Sequence, residues 1–372
     1  MTRSGPDPRR AEIDRAVLAW MRETGWRDDE ERFQRLAAEL FAFQFEHCTA
    51  YGAFCSRRGR TPETLHSWRD VPPVPTGAFK EVALHSFPAE RCIKCFRTSG
   101  TSTAVRGEIA LDTLELYEAS LRPTFRRHVF PDLEPGQHAT IRVLAPAAAE
   151  APDSSLSHMF AVVLRELGAP DSGFDVVGGS LACDRLLANL EACAGEGRPA
   201  ALCGTAFAFV HLLDELERRR VRYVLPEGSR LMECGGFKGR SREIPRPELY
   251  ARLEGALGIP MEMMVNQYGM TELGSQFYDS VLLRPSELRR KLSPPWARVV
   301  VVDPETAEPA APGEVGSIVV FDLANTGSLF AVQTADLGRT VLDGFEVLGR
   351  EPRAEERGCS IAADELLTES VS

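Results

Sequence analysis

The sequence predicts an α/β protein in which a layered domain of alternating strands and helices is followed by a small antiparallel β subdomain. Three observations carry that expectation. Between Ile141 and Lys238, apolar runs of strand length alternate with stretches of helical spacing, the pattern of a sheet covered by helices. After Trp296 the texture changes to Val- and Ile-rich runs joined by Pro304-Glu305 and Pro312-Gly313, which read as turns between antiparallel strands rather than βαβ crossovers. The 372 residues, 44% hydrophobic and 26% charged, are enough for a substantial core in one large domain or two ordinary ones.

Residues 9–57 have Ile13, Val17, Leu18, Leu36, Leu40 and Phe43 at helical spacings and read as packing helices. Pro62 starts a further short helical segment. Val71-Pro72-Pro73-Val74-Pro75-Thr76 is an extended connector, because prolines exclude helix there. Lys80 follows, one of four lysines with Lys94, Lys238 and Lys291. In so arginine-rich a chain it is either a surface residue or one doing what arginine cannot. Phe96 to Thr103 crowds hydroxyls and a glycine into a turn whose O–H and N–H donors suit a phosphate chain. No Gly-Lys-Ser/Thr follows, so it is not a P-loop, and alone it would be an ordinary loop.

Residues 112–128 read as a helix with Asp112 as N-cap. Ile141–Pro146 is a strand, and Ser157-His158-Met159-Phe160 opens a helix to about Leu167. His158 is there either a surface or capping histidine or a group approaching a carboxylate substrate. Ala200–Gly204 is a strand and Phe207–Arg218 a helix. The strand from Arg230 ends in Gly235-Gly236, a pair that lets a flat ring lie against main chain. Met261–Val265 reads as a short buried strand opening onto Asn266-Gln267-Tyr268-Gly269-Met270-Thr271-Glu272. Arg298–Asp303 and Gly316–Phe321 are strands, and Asp343-Gly344 marks a hairpin turn. The expected division is 1–70 as a helical segment, 71–295 as the α/β core, 296–350 as the β-rich part and 351–372 as a short end carrying Cys359.

A net charge of −11 argues against a nucleic-acid or anionic-membrane surface. No run approaches the roughly 18 apolar residues of a membrane span, and the charged start lacks the apolar core of a secretory signal. Nine cysteines, an odd number, do not make a disulfide framework, so a reducing cytoplasm is expected. Cys92 and Cys95 stand alone, short of the four ligands of a structural zinc site.

The heptad at 266–272 organises the rest. A strand running into polar residues presents them at its carboxyl end, where open α/β sheets place ligands. Tyr268 offers a flat ring, Gly269 a close backbone, Thr271 a hydroxyl and Glu272 a carboxylate suited to a hard cation. That mixture suits a nucleotide with bound Mg²⁺. Thr98-Ser99-Gly100-Thr101, the heptad, Thr334–Arg339 and Gly349-Arg350, in that order, resemble the adenylate-forming superfamily of acyl-CoA synthetases and luciferases. Pro73–Lys80, Gly235–Lys238, Pro294-Pro295-Trp296, Asp303–Thr306 and Gly358-Cys359 resemble, within it, the acyl-protein synthetase (LuxE-type) family of bacterial fatty acid reductase systems. The resemblance runs from about residue 30 to the end.

The resemblance implies the large N-terminal domain of adenylate-forming enzymes, lacking most of the usual C-terminal domain. It implies that Thr98, Ser99, Gly100 and Thr101 hold the β- and γ-phosphates of ATP. Tyr268 would stack on adenine beside Gly235, Gly236 and Gly269, and Thr271 would bond the α-phosphate. Glu272 would coordinate Mg²⁺, Asp336 would accept from the ribose hydroxyls and Arg350 would donate near ribose and phosphate. His158 would sit near the substrate carboxylate. The superfamily lysine usually carried by the C-terminal domain has no counterpart after Lys291, so Lys238, Lys80, Arg350 or Mg²⁺ would supply its charge.

The chemistry so implied joins a carboxylic acid, a fatty acid on the family's pattern, to the α-phosphorus of ATP. Two anions meet, so the barrier is mostly electrostatic. Cys359 would take the acyl group as a thiolate, with Arg353 and Arg357 favouring that form and Glu355 and Glu356 opposing it. A protein acceptor, a reductase or a carrier, would take the acyl group next, and a homo- or hetero-oligomer is allowed. Two alternatives stand beside this expectation: an acid–CoA or acid–carrier ligase in which Cys359 is idle, and a binding protein that keeps the fold without turnover.

Overall fold

A computed structural model describes residues 7–98, 106–235 and 244–351 of the chain. Its helices are α1 (Pro8–Met21), α2 (Glu30–His47), α3 (Thr49–Arg57), α4 (Glu115–Val129), α5 (Ser155–Leu167), α6 (Cys183–Glu196), α7 (Ala206–Arg219) and α8 (Arg246–Leu257). Its strands are β1 (Val74–Pro75), β2 (Lys94–Arg97), β3 (Glu108–Leu111), β4 (Thr140–Pro146), β5 (Gly173–Val177), β6 (Ser180–Leu181), β7 (Ala200–Thr205), β8 (Arg230–Cys234), β9 (Met264–Tyr268), β10 (Phe277–Asp279), β11 (Lys291–Leu292), β12 (Ala297–Val302), β13 (Gly316–Asp322), β14 (Ala331–Val341) and β15 (Gly344–Arg350). Two units form. One takes the chain up to Leu121, then Met270–Gln276 and the chain from Leu292; the other takes Arg122–Gly269 and Phe277–Lys291.

In the first unit, α1 starts at Pro8 behind Asp7, whose carboxylate accepts from the Arg9 N–H at 2.8 Å. Asp29 caps α2 the same way, at 2.9 Å from the Arg32 N–H. Val17, Phe33, Leu36 and Leu40 point inward from these helices and are fully buried. β12, β13, β14 and β15 form successive antiparallel pairs, and the proline-bounded β1 adds parallel to β14. β2 and β3 make a separate hairpin.

The second unit carries the parallel sheet. β9, β8, β7, β4 and β5 run parallel in that spatial order, with β10 and β6 antiparallel at the ends. Leu212 and Leu213 of α7, Leu190 of α6 and Leu253 of α8 close one core with Leu144, Leu202 and Leu231 of the sheet. Arg142 and Asp175, both buried on neighbouring strands, pair through two hydrogen bonds.

Three local expectations shift. Asp112 does not cap a helix: α4 begins at Glu115, whose N–H goes to Thr113 Oγ1 at 3.1 Å, while Asp112 pairs with Arg10 at 3.0 Å and Arg91 at 3.2 Å. Met261–Met263 is a 3₁₀ turn, and the strand begins at Met264. The last hairpin turns on Leu342-Asp343, since Val341 pairs with Gly344, and Leu342 takes φ +52°. The division at 71, 296 and 351 remains our proposal for how the sequence is organised.

Gly338 on β14 has its neighbours too close to admit a side chain. A Cβ on Gly338 would lie 2.4 Å from the Glu346 carbonyl oxygen and 2.7 Å from Ile318 Cδ1. Gly338→Ala is therefore expected to lower stability by about 1–3 kcal/mol, read as a fall in the thermal midpoint. An unchanged midpoint would mean that the strands do not approach this closely.

Candidate active site

Thr271 and Glu272 lie on the irregular segment Met270–Gln276, and a buried polar network anchors the residues just beyond them. Asp322, at the end of β13, accepts from the Ser275 N–H and the Ser275 hydroxyl, both at 2.7 Å, and from the Ala324 N–H at 3.0 Å. Trp296 Nε1 donates to Ser120 Oγ at 3.0 Å and Ser275 Oγ at 3.1 Å. Asn325 Nδ2 donates to the carbonyl of Glu272 itself at 2.7 Å. Burial pushes the Asp322 carboxyl above its usual range against the hydrogen bonds that favour its charge.

Asp336 and Arg350 are cross-strand partners on β14 and β15. Leu337 pairs with Gly349 but Gly338 pairs with Val347, so Leu348 is an extra, bulged residue. Gly349 takes φ +149°, which a side chain would oppose. Arg350 Nε is 3.8 Å from Asp336 Oδ1, and the arginine side chain remains 76% exposed, open to a second anion.

Glu272 is 6% exposed and makes no ion pair with a described residue. Burial raises its carboxyl to about 7; Arg350 and Lys80 pull it down and Asp336 pushes it up. Each of those three charges is thus within electrostatic reach of Glu272. Lys80, at the end of a 3₁₀ turn from Thr76, lays its stem beside Gly107: a Cβ there would be 3.5 Å from Lys80 Cγ and 3.3 Å from Thr98 Cγ2. Thr98 extends the β2–β3 hairpin by a step, its N–H donating to Gly107 O at 2.8 Å and its hydroxyl accepting from the Gly107 N–H at 3.0 Å.

In the second unit β8 and β9 end side by side. Cys234 is in register with Gln267 on the parallel neighbours β8 and β9, which sets Gly235 beside Tyr268. Among the described residues, none beyond its chain neighbours comes within 4 Å of where a Gly235 Cβ would be. The Tyr268 ring lies 6.2 Å from that of Phe277. His158 is in the first turn of α5, half-buried, with its N–H on Ser154 O at 3.1 Å. Gly269 follows Tyr268 in the same unit. Ser99, Gly100, Thr101, Gly236, Lys238 and Cys359 lie outside the described residues.

The sequence profile described as "Acyl-protein synthetase, LuxE" matches residues 10–368. The chain belongs to the LuxE family of acyl-protein synthetases. As a LuxE-family protein it is an ATP-dependent, acyl-adenylate-forming ligase. It is 22% identical over 374 residues, 97% of this chain and 96% of the other, to the "Long-chain-fatty-acid--luciferin-component ligase" of Aliivibrio fischeri. In fold it resembles 2-hydroxyisobutyryl-CoA ligase. The open conformation of that enzyme, with 2-HIB-AMP and CoA, has TM-score 0.59 and 15% identity over 92% of this chain and 77% of that one. Its thioesterification state gives TM-score 0.59 and 16% identity over 92% and 70%. The mixed sheet flanked by helices is accordingly that of the large domain of adenylate-forming enzymes.

Among the described residues of this LuxE-family chain, no helix is long and apolar enough to cross a membrane. No group of three or more His, Cys, Asp or Glu stands ready for a metal there either. Residues that motif reading missed are Asp322, Ser275 and Ser120, and in the second unit Asp279 and Lys291. Their signal was faint but present: a lone Asp inside the apolar run Ile318–Leu323 and another after Phe277-Tyr278.

The raised Glu272 carboxyl gives a pH test. The unfolded chain loses this proton near the ordinary glutamate value of 4.5 and the folded chain only near 7, so between them the folded state binds more protons and stability falls as pH rises. In magnesium- and nucleotide-free buffer, wild type should lose on the order of 3 kcal/mol more than Glu272→Gln between pH 4 and 8, measured by urea unfolding. Equal pH dependence of the two proteins would place Glu272 in contact with water.

Proposed function

We propose that this ligase activates a long-chain fatty acid as its adenylate, transfers the acyl group to Cys359 and passes it to a partner protein. The observation that carries the reading is the buried Glu272, one residue after Thr271, within reach of Lys80, Asp336 and Arg350. The A. fischeri relative is named for ligating a long-chain fatty acid, which supports that substrate class, and the family description supports a protein acceptor.

In this reading Tyr268 and Gly235 flank adenine, Asp336 accepts from ribose hydroxyls and Arg350 donates to ribose and phosphate. Thr98, Ser99, Gly100 and Thr101 wrap the β- and γ-phosphates, Thr271 bonds the α-phosphate and His158 stands near the acid. A buried carboxylate with no ion-pair partner among the described residues fits a magnesium ion that would bind together with the nucleotide. Glu272 would hold it, and it would supply positive charge at the phosphates. The acid's carboxylate oxygen attacks the α-phosphorus, and pyrophosphate leaves with the bonding pair. The Cys359 thiolate then attacks the acyl carbonyl and AMP leaves, forming a thioester. Lys80 supplies positive charge at the reacting carboxylate and α-phosphate, its charge being within electrostatic reach of Glu272. Lys238 is the other candidate.

Acid-dependent ATP–pyrophosphate exchange, with labelled acid to report acyl-protein, tests each step. Cys359→Ser should keep exchange and lose the covalent label; a label that persists on Cys359→Ser removes the acyl-enzyme step. Lys80→Met should lower the exchange kcat by about 10²–10³. A fall under about threefold would hand the charge to Lys238 or Arg350. Wild type without exchange on any of a panel of acids would overturn the adenylate reading altogether.

A further inference from the structure

Two charges inside the second unit take no part in the chemistry above. Lys291 and Asp279, each 3% exposed, pair at 2.6 Å. A buried ion pair is a poor source of stability, since desolvation cancels much of its attraction and apolar residues of the same size often do better. Its place in the sheet points to another task.

The β9–β10 ladder pairs Phe277 with Tyr268 and Tyr278 with Gln267. The next step would put Asp279 against Asn266, and there side chains replace main chain. The Asn266 N–H donates to Asp279 Oδ2 at 3.0 Å, and Lys291 Nζ donates to the Asn266 carbonyl at 2.8 Å. A side chain reaches farther than a main-chain group, so β10 leaves the ladder without orphaning either group of Asn266. Arg289 reinforces the clamp, donating to Asp279 Oδ2 at 2.9 Å and to Met264 O at 2.7 Å. On its other side, Asn266 Nδ2 donates to Glu233 Oε1 at 2.6 Å. Tyr250 Oη donates to that same oxygen at 3.1 Å, and Arg246 pairs with it at 3.2 Å.

Asn266 stands two residues before Tyr268, and Glu233 two before Gly235. We infer that the Lys291–Asp279 pair is a positioning device for the nucleotide base: it fixes Asn266, and through the Asn266–Glu233 bond it sets the spacing and orientation of the Tyr268 ring against the Gly235 backbone. This rests on the adenine site proposed above. Neither residue touches the nucleotide. The ammonium of Lys291 is already committed to Asp279 and Asn266, so it orders the base platform instead of reaching a substrate.

The test separates positioning from bulk stability. AMP and tripolyphosphate are titrated against the full chain as wild type, Lys291→Met and the double variant Asp279→Leu/Lys291→Met. Lys291→Met should weaken AMP at least tenfold and change tripolyphosphate less than twofold, because tripolyphosphate carries no base. The double variant removes the charge imbalance but still leaves both main-chain groups of Asn266 without their partners, so it should stay at least tenfold weaker for AMP whatever part of the thermal midpoint it regains. Recovery of AMP affinity along with the midpoint would reduce the pair to a structural role, as would an equal loss for both ligands or no loss of AMP at all. Wild type that shows acid-dependent exchange while the variants bind AMP normally overturns this inference alone. Wild type that binds no AMP overturns the adenine site and this inference together.

Discussion

A carboxylate buried without a described cation at contact distance is the constraint on which the site depends. Removing Glu272 from water disfavours its charged form; a hydrogen bond from its own backbone N–H and the more distant Arg350 and Lys80 offset this in part, while Asp336 works the other way. An ion pair at contact distance would have settled the charge and closed the position to a ligand. Leaving it open costs stability in the free protein when the carboxylate is charged, and in the proposed reading a cation arriving with the nucleotide would offset that cost.

Holding such a group in place requires irregular backbone inside the protein, where every N–H and C=O needs a partner. Side chains provide them. Asp322 serves the main chain at Ser275 and Ala324, and Asn325 serves that of Glu272. Gln44, fully buried on α2, donates to Asn325 O at 2.8 Å and accepts from the Phe330 N–H at 3.2 Å. In the second unit Asp279 and Lys291 do the same for Asn266. Each of these polar side chains answers a main-chain group that regular structure leaves over.

Much of this was legible before any coordinates. Alternating strand and helix from Ile141 predicted the parallel sheet, since only a covered sheet tolerates strands apolar on both faces. Texture after Trp296 predicted the antiparallel portion, whereas the polar residues after Val265 belong to the strand itself, which ends only at Tyr268. The misreadings have a common origin in partners distant along the chain. Asp112 looks like a helix cap locally, yet Arg10, 102 residues earlier, takes its carboxylate. Gly344 looks like the turn residue, yet the pairing of β14 with β15 puts Leu342 at the positive φ instead.

By itself the sequence determined the alternation of elements, the order of the nucleotide-type motifs and the family, because these are written in local spacing and residue type. Tertiary structure alone decided which charges are desolvated, which lysine stands near Glu272 and which is consumed in holding Asn266. Those outcomes arise from burial and from contacts between residues far apart in the chain, and a carboxylate reads the same in a sequence whether water or a protein core surrounds it.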